Sequence, residues 1–337
     1  MKLDPRKVEA NIPCAICGER ESHPFMDLNF KQFGYPGIFR LRQCKSCGLI
    51  FNSPRLRKEE FPKLYKKNYY FFNELASHEI SRIKSQYLRS VALLNIDARQ
   101  RKLIEIGSAK GYQLALLKAL GWDVQGVELS NFAANFASKT FNVPVFRGTA
   151  ELYARECTVK YDVAVAFNVI EHVLDPAQFV AAVAQLVKVG GILIIDTPNG
   201  NAKHIEVHRE LWSGFIPFHI YFFNAENLTR LLRDHGFTVV KSFTYNNALV
   251  GYQERKKMLE PSLKERFYEA VGLRQQLANI KHIWLSRAET KEWLNEQIQK
   301  AAEEVRFLPT YFETSDAKLP LAKRQEGENL VIIAQKH

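Results

Sequence analysis

The sequence predicts an α/β protein built on a doubly wound, mostly parallel sheet of seven strands. Three observations carry this prediction. Short apolar runs alternate with segments that are apolar at helical spacing between about residues 100 and 250. Two CxxC pairs precede this region, and a charged helical pattern separates its last strand from the others. Alternation of strand and helix is typical of a parallel sheet with helices on both faces.

The first fifty residues contain four of the five cysteines, arranged as two CxxCG pairs. Cys14 and Cys17 form the first pair, and Cys44 and Cys47 form the second, with β-like runs between them. Two such pairs predict a zinc ribbon, in which all four thiolates bind one structural Zn²⁺ ion. A redox role is less favoured, because a redox CxxC motif opens a helix after a strand and needs no second pair.

The expected strands and helices follow in order along the rest of the chain. The strands are expected at residues 103–106, 123–128, 144–147, 161–167, 191–197, 238–245 and 329–336. The helices are expected at 112–120, 131–140 and 176–188, followed by a helix that Asn224 caps and Gly236 ends.

These elements divide the chain into five parts. We expect a zinc ribbon with its linker at 1–75, a connector helix at 76–100, the main domain at 101–253, a helical insertion at 254–328, and the last strand of the sheet at 329–337. The insertion is charge-balanced and leaves the carboxyl end of the sixth strand. A lid or substrate domain is therefore one interpretation, and a dimerisation element is the other.

Net charge and apolar content restrict the classes of function. The net charge is +11, and residues 1–70 hold fourteen Lys and Arg against seven Asp and Glu. This excess indicates either a solvated surface or attraction to phosphates. The chain has no apolar run of about eighteen residues and no apolar core of a signal peptide near its first residue, so we expect no membrane span and a cytoplasmic location. The oligomeric state does not follow from the sequence.

The turn after the first strand of the sheet suggests a ligand. Gly107 and Gly111 let the backbone approach a ligand closely, and a helix begins there with its positive end toward the turn. Glu128, about twenty residues beyond the turn, stands where a carboxylate accepts the ribose hydroxyls of an adenosine cofactor. Glu105 lies in an otherwise apolar strand and would suit a cationic ligand. A ligand with a ribose, a carboxylate and positive charge is S-adenosylmethionine.

At this point the sequence resembles a known family. The segments IEIGSAKG, GVELS, GTAEL, YDVAVAFNVIEHVLDP and VKVGGILIIDTPN occur in the order and at the intervals of the class I, Rossmann-like methyltransferases that use S-adenosylmethionine. The resemblance covers about residues 100–250 and the last strand. Ala109 replaces the usual central glycine of the first motif.

The resemblance implies a set of cofactor-binding residues. Glu105 and the turn would hold the methionine portion, Glu128 the ribose, Leu129 and the 149–150 pair the adenine, and Asn168 would close the site under the sulfonium. The full set is Glu105, Gly107, Ser108, Gly111, Glu128, Leu129, Thr149, Ala150 and Asn168.

Two places in the chain offer a catalytic base. Glu171 and His172 lie just beyond the fourth strand, and His219 lies on the long connection after the fifth. Both connections leave from the cofactor side of the sheet. Direct catalysis by either histidine competes with a role in shaping the pocket.

These features favour methyl transfer to a small-molecule acceptor. Similarity to sugar methyltransferases with a zinc ribbon favours a sugar, a sugar nucleotide or a polysaccharide-related compound as that acceptor. One alternative is an RNA methyltransferase that uses the basic ribbon to bind rRNA or tRNA. Another alternative is a scaffold that binds S-adenosylmethionine without catalysis.

Overall fold

The computed structural model describes residues 7–29, 38–60, 75–216, 218–246, 289–314 and 325–337. The main sheet contains the seven expected strands. Their bounds are β6 Lys102–Ile106, β7 Asp123–Glu128, β8 Val145–Arg147, β9 Tyr161–Phe167, β10 Val187–Pro198, β12 Phe237–Tyr245 and β13 Asn329–Lys336. Their order in the sheet is β12-β13-β10-β9-β6-β7-β8, and β13 runs antiparallel to both β10 and β12, whereas the other pairs are parallel. The predicted fold class is confirmed.

The helices form two layers because alternate side chains of each strand point to opposite faces. The bounds in the main domain are α1 Ala76–Leu88, α2 Tyr112–Ala119, α3 Asn131–Phe141, α4 Ala150–Glu156, α5 Pro176–Leu186, α6 Lys203–His208 and α7 Ala225–Arg233. Short 3₁₀ segments lie at Val91–Leu94, Ile170–His172 and Arg209–Leu211. Val163 and Val165 of β9 face the core beneath α1, α2 and α3, whereas Ala164 and Ala166 face the core beneath α5.

The strand order reverses between β6 and β9. The chain runs from β6 outward to β7 and β8 and then returns to β9 on the other side of β6. Connections therefore diverge above the carboxyl ends of β6 and β9, leaving a crevice in which ligands of open α/β sheets bind.

The cysteine-rich segment forms strands of two small sheets. Its strands are β1 Val8–Glu9, β2 Ser22–Asn29, β3 Ile38–Cys44, β4 Ile50–Asn52 and β5 Arg55–Leu56. β1 pairs with β5, and the other sheet has the order β11-β4-β3-β2, in which the edge strand β11, Tyr221–Phe222, comes from the main domain. Leu41 and Phe51 of the ribbon share one hydrophobic core with Phe215 and Phe223 of the main domain.

The described part of the predicted insertion packs against the main domain. It contains α8, Lys291–Phe307, and the short α9, Tyr311–Thr314. Ile298 and Val305 of α8 are buried against α1 and α2, and Arg306 Nη2 donates to the Ala119 carbonyl at 3.1 Å. Residues 254–288 of the predicted insertion lie outside the described residues, so its role as a lid stays a prediction. No described helix is long and apolar enough to cross a membrane.

Truncation of Ile298 tests whether α8 is an integral layer of the main domain. Ile298 is 2% exposed, so Ile298→Ala leaves a cavity and should lower the free energy of unfolding by about 2–5 kcal/mol. Phe307→Ala is the matched control, since Phe307 lies at the end of the same helix and is 88% exposed. Urea denaturation that gave equal stability for both variants would contradict the packing of α8.

Candidate functional site

A cavity of about 1400 Å³ lies in the crevice above the carboxyl ends of β6 and β9. Its walls come from α1, from the turn between β6 and α2, from the ends of β7 and β9, and from residues 212–219. All nine predicted cofactor residues line this cavity, as do His172 and His219, whereas the third predicted catalytic residue, Glu171, is not part of its lining. None of the described residues of α8 and α9 lines it.

The turn between β6 and α2 needs glycine for close packing as well as for the approach of a ligand. Gly107 and Gly111 both have positive φ, at +74° and +78°. A Cβ atom on Gly107 would lie 2.5 Å from Val169 Cγ2, and one on Gly111 would lie 2.5 Å from Ala137 Cβ. Ala109, at the position of the expected glycine, also has a positive φ of 46°. The glycines therefore let the turn approach both α3 and the connection after β9.

Glu128 ties the end of β7 to this turn. One carboxylate oxygen accepts a hydrogen bond from the Ala109 amide at 2.8 Å, and the other accepts one from the Ser130 amide at 2.7 Å. Each oxygen retains a second lone pair for a further donor. Burial raises the pKa of Glu128, and these backbone donors oppose the shift.

The wall next to the turn contains buried polar atoms without a hydrogen-bond partner among the described residues. They are Glu105 Oε2, Ser108 Oγ and both amide atoms of Gln113. Burial raises the pKa of Glu105 to about 8, whereas nearby Arg82 of α1 opposes the shift. Buried polar groups are normally paired, so this group of atoms fits a polar, positively charged ligand.

The side of the cavity that was predicted to hold adenine is more open and apolar. Leu129 is 61% exposed although it lines the cavity, and Thr149 accepts a hydrogen bond from the Leu152 amide as the N-cap of α4. Ala150 is buried at the start of that helix. An exposed leucine beside a helix N-terminus leaves apolar surface available to a planar ring.

Glu171, His172 and His219 come together although 47 residues separate the two histidines in the sequence. The rings of His172 and His219 lie 4.7 Å apart in an edge-to-face arrangement. Glu171 Oε1 lies 3.8 Å from His172 Nε2 and 3.9 Å from His219 Nε2. Glu171 Oε2 accepts a hydrogen bond from the Thr197 hydroxyl at 2.9 Å.

Backbone carbonyls set the tautomers of both histidines. His172 Nδ1 lies 3.0 Å from the Phe218 carbonyl, and His219 Nδ1 lies 2.7 Å from the Gly214 carbonyl. A carbonyl only accepts, so Nδ1 carries the proton and Nε2 presents its lone pair. Burial lowers the pKa of His172 to about 4 and raises that of Glu171 to about 8. Near pH 7 both groups are therefore neutral.

The separations in this cluster decide what it can hold. The three ligand atoms lie within 4.8 Å of one another, as a metal site requires. Two nitrogen or oxygen ligands about 2.1 Å from one tetrahedral ion would be about 3.4 Å apart, which is closer than the 3.8 and 3.9 Å found. These atoms are therefore slightly wider apart than an ion would hold them, and an acceptor hydroxyl group could contact both a histidine Nε2 and the Glu171 carboxyl.

Several cavity residues were missed from the sequence. Trp212 Nε1 and Asn329 Nδ2 are buried donors without a hydrogen-bond partner among the described residues. Gln113 could have been found from the sequence, because it is a polar residue in the apolar first turn of α2. Glu105 was identified in the same way, as a polar residue in an apolar strand. Arg82 gave no such signal, because only the docking of α1 brings it near Glu105.

The four cysteines also come together as predicted. Their sulfur atoms lie within 4.8 Å of one another, with Cys14 and Cys47 separated by 3.4 Å and Cys17 and Cys44 by 3.5 Å. Four thiolates about 2.3 Å from one tetrahedral zinc ion are about 3.8 Å apart, so the donor set fits Zn²⁺. After each CxxC pair, the next glycine has positive φ and donates its amide to the carbonyl of the first cysteine.

The chain is similar to known proteins over its main domain. A protein-family model described as a methyltransferase domain matches residues 75–242. The chain is 30% identical over 183 residues to a ubiquinone biosynthesis O-methyltransferase of Thiobacillus denitrificans, which covers 50% of this chain and 77% of that relative. It is 34% identical over 142 residues to an S-adenosylmethionine-dependent methyltransferase of Mycobacterium tuberculosis, which covers 42% of this chain and 50% of that relative.

A solved structure of an S-adenosylmethionine-dependent methyltransferase from Archaeoglobus fulgidus is also similar. It has a TM-score of 0.48 and 16% sequence identity, and covers 80% of this chain and 100% of that one. The chain spans about half the length of the first curated relatives that it matches.

Metal analysis tests the cysteine cluster. We expect one zinc ion per chain in freshly purified protein, and Cys17→Ser should lower this content because it removes one of four ligands. Cys157→Ser is the matched control and should retain one zinc ion, since Cys157 lies outside the cluster. Inductively coupled plasma mass spectrometry that found no zinc in the unmodified chain would defeat this prediction.

Proposed function

The chain belongs to the class I, S-adenosylmethionine-dependent methyltransferases, and from this membership we propose that it transfers a methyl group to a hydroxyl oxygen of a small-molecule acceptor. The observation that supports the acceptor chemistry is the cluster of Glu171, His172 and His219, whose two histidines line the same cavity as the cofactor turn. Bound S-adenosylmethionine supplies a methyl group on an activated sulfonium, so what remains for the chain is to align the acceptor, exclude water and remove a proton.

On this proposal the turn and the two glutamates hold the cofactor. Glu105 Oε2, with Ser108 and Gln113 beside it, would pair with the ammonium of the methionine portion, and Arg82 is the cation suited to its carboxylate. The free lone pairs of Glu128 would accept the ribose hydroxyls. Gly107, Gly111 and the 148–150 segment would complete the walls, with Leu129 against the adenine. Asn168 would lie beneath the sulfonium.

His219 is our candidate for the base, with His172 as the alternative. The Gly214 carbonyl fixes the Nδ1 proton, so Nε2 can accept the proton of an acceptor hydroxyl. The imidazolium that forms lies 3.9 Å from Glu171 Oε1, whose carboxylate form would stabilise the new charge. Glu171 is then a positioning and electrostatic residue, held by Thr197.

The acceptor wall favours a molecule rich in oxygen atoms. Trp212 Nε1 and Asn329 Nδ2 are donors that face the cavity, and Ser213 adds a hydroxyl. Lys58 and Arg155 also line the cavity and are exposed. Donors on one wall and cations at exposed positions suit a sugar or a sugar nucleotide, which is the acceptor class that we propose.

RNA is the second candidate acceptor. It is favoured by the excess of Lys and Arg in residues 1–70. RNA bases would stack on aromatic side chains of the ribbon, and most of these side chains lie outside the part of the chain that the structure describes. The third candidate, a scaffold without catalysis, is less favoured because Trp212 and Asn329 line the cavity with buried donor atoms beyond the cofactor turn.

Proton release on cofactor binding tests the role of Glu105. Its pKa of about 8 means that it is mostly neutral at pH 7 in the free protein, and an ammonium partner would ionise it. Binding of S-adenosylmethionine at pH 7 should therefore release about one proton, and affinity should rise with pH until about pH 8.

Calorimetry in two buffers of different ionisation enthalpy measures the released proton. Glu105→Gln is the matched control, since it keeps the shape of the side chain and cannot titrate. Equal proton release by both proteins would remove Glu105 from the cofactor site.

Loss of His219 tests the base. His219→Ala should lower kcat by about 10²-fold or more, while affinity for S-adenosylmethionine stays unchanged. His235→Ala is the control, because His235 lies outside the cavity. The acceptor is found by mass spectrometry of products from a panel of sugar nucleotides, phenols and total RNA.

The pH profile of the same reaction adds the contribution of Glu171. Its pKa is raised to about 8, so its negative charge appears only as the pH rises through that value and then makes both imidazoles more basic. We expect kcat/KM to rise through about pH 8 in the unmodified protein and to lose this step in Glu171→Gln. A normal kcat in His219→Ala would move the base to His172, and methylation of RNA alone would favour the second candidate.

A further inference from the structure

Strand β11 belongs to two parts of the molecule at once. It lies in the connection of residues 212–223, which we call the acceptor loop, and it begins two residues after His219. It also pairs with β4 as the edge strand of the ribbon sheet, with Tyr221 opposite Phe51 and Phe222 opposite Ile50. We propose that the ribbon contributes to the acceptor site. Its strand β4 and Arg55 hold the acceptor loop in place and thereby position His219. This inference rests on the proposed role of His219.

Ile220 carries the connection between the ribbon and the catalytic cluster. Its carbonyl accepts a hydrogen bond from the Asn52 amide of the ribbon at 2.8 Å. Its own amide donates to the Glu171 carbonyl at 2.7 Å. The residue next to His219 is therefore held on one side by the ribbon and on the other by the backbone of Glu171.

Arg55 adds a side-chain connection at the same place. Its guanidinium donates to the Tyr221 hydroxyl at 2.6 Å and to the Leu174 carbonyl at 3.2 Å, and it pairs with Glu9. The Tyr221 hydroxyl in turn donates to the Leu174 carbonyl at 3.1 Å. The side chain of Arg55 is 11% exposed, so these bonds are shielded from water. A rigid, planar guanidinium can hold three partners in fixed directions.

The cysteine cluster supports this arrangement through neighbouring strands. Cys44 ends β3, and β3 pairs with β4, where Leu41 lies opposite Asn52. The Cys44 amide donates to the Leu49 carbonyl, one residue before β4 begins. Only one strand, β4, therefore lies between the strand that ends at Cys44 and β11 of the acceptor loop.

Small displacements of His219 would matter for catalysis but not for the cofactor. A misplacement of about 1 Å in a catalytic group can lower the rate by about 10²-fold. Residues that hold such a group in place affect the turnover rate, and they do not affect the binding of a second ligand elsewhere. Among the described residues, the strands that carry Glu105 and Glu128 pair only within the main sheet.

Two variants of the full-length chain test the proposal. Arg55→Met removes the guanidinium, and Tyr221→Phe removes only the hydroxyl group that it holds. We expect kcat to fall at least tenfold in Arg55→Met and less in Tyr221→Phe, with affinity for S-adenosylmethionine within twofold and one zinc ion retained. Arg55→Lys should restore part of kcat.

Arg42→Met is the matched control. Arg42 also joins two ribbon strands through its contacts with Ser22, but it does not contact the acceptor loop. It should leave kcat and the affinity for the cofactor unchanged.

Hydrogen exchange supplies a readout that does not depend on activity. The Ile220 amide should exchange at least tenfold faster in Arg55→Met and in Tyr221→Phe than in the unmodified chain, whereas amides of β6 should not change. Unchanged exchange at Ile220 in both variants would overturn the proposal. Faster exchange together with a normal kcat for His219→Ala would instead refute the proposed base and leave the positioning of the loop standing.

Discussion

Three carboxyl groups are buried at the carboxyl ends of the strands, and the cost of burying them governs the arrangement around them. An ionised carboxylate without a partner is strongly disfavoured in a low-dielectric interior. Asp196 is compensated within the protein, because it accepts hydrogen bonds from the Tyr245 hydroxyl and lies 3.4 Å from Arg89 Nε. Glu105 and Glu171 each retain a buried oxygen without a hydrogen-bond partner among the described residues. Glu105 lines the cavity, so a bound molecule can supply its partner, and Glu171 lies next to His172 and His219, which also line the cavity.

The two sides of the crevice carry residues with different proposed roles. On the β6 and β7 side, backbone amides hold Glu128, and the glycine turn is packed against α3. On the β9 and β10 side, Glu171 and the two histidines meet, and their tautomers are set by carbonyls of the acceptor loop. A cofactor and an acceptor would therefore be recognised by different elements that share only the floor of the cavity. Substitutions on one side of the cavity should therefore affect only the ligand that binds on that side.

The ribbon is better described as part of the catalytic domain than as an appended module. It shares a hydrophobic core with the β10 side of the sheet, and its edge strand pairs with the acceptor loop. Structural zinc sites contribute to folding directly, because the ligands converge only in the folded chain. Here the folded ribbon would also shape the wall that carries His219.

The sequence by itself determined the seven strands, the mostly parallel sheet, the cysteine cluster and the places of Glu105 and Glu128, since hydrophobic period, turn residues and motif spacing are local properties. It also named Glu171, His172 and His219, but not their mutual geometry. Only the tertiary structure decided that His219 approaches Glu171, that Arg82 lies near Glu105, and that Tyr221 pairs with the ribbon. These contacts join residues far apart in the chain, and their distances depend on how whole elements pack, which no local pattern encodes.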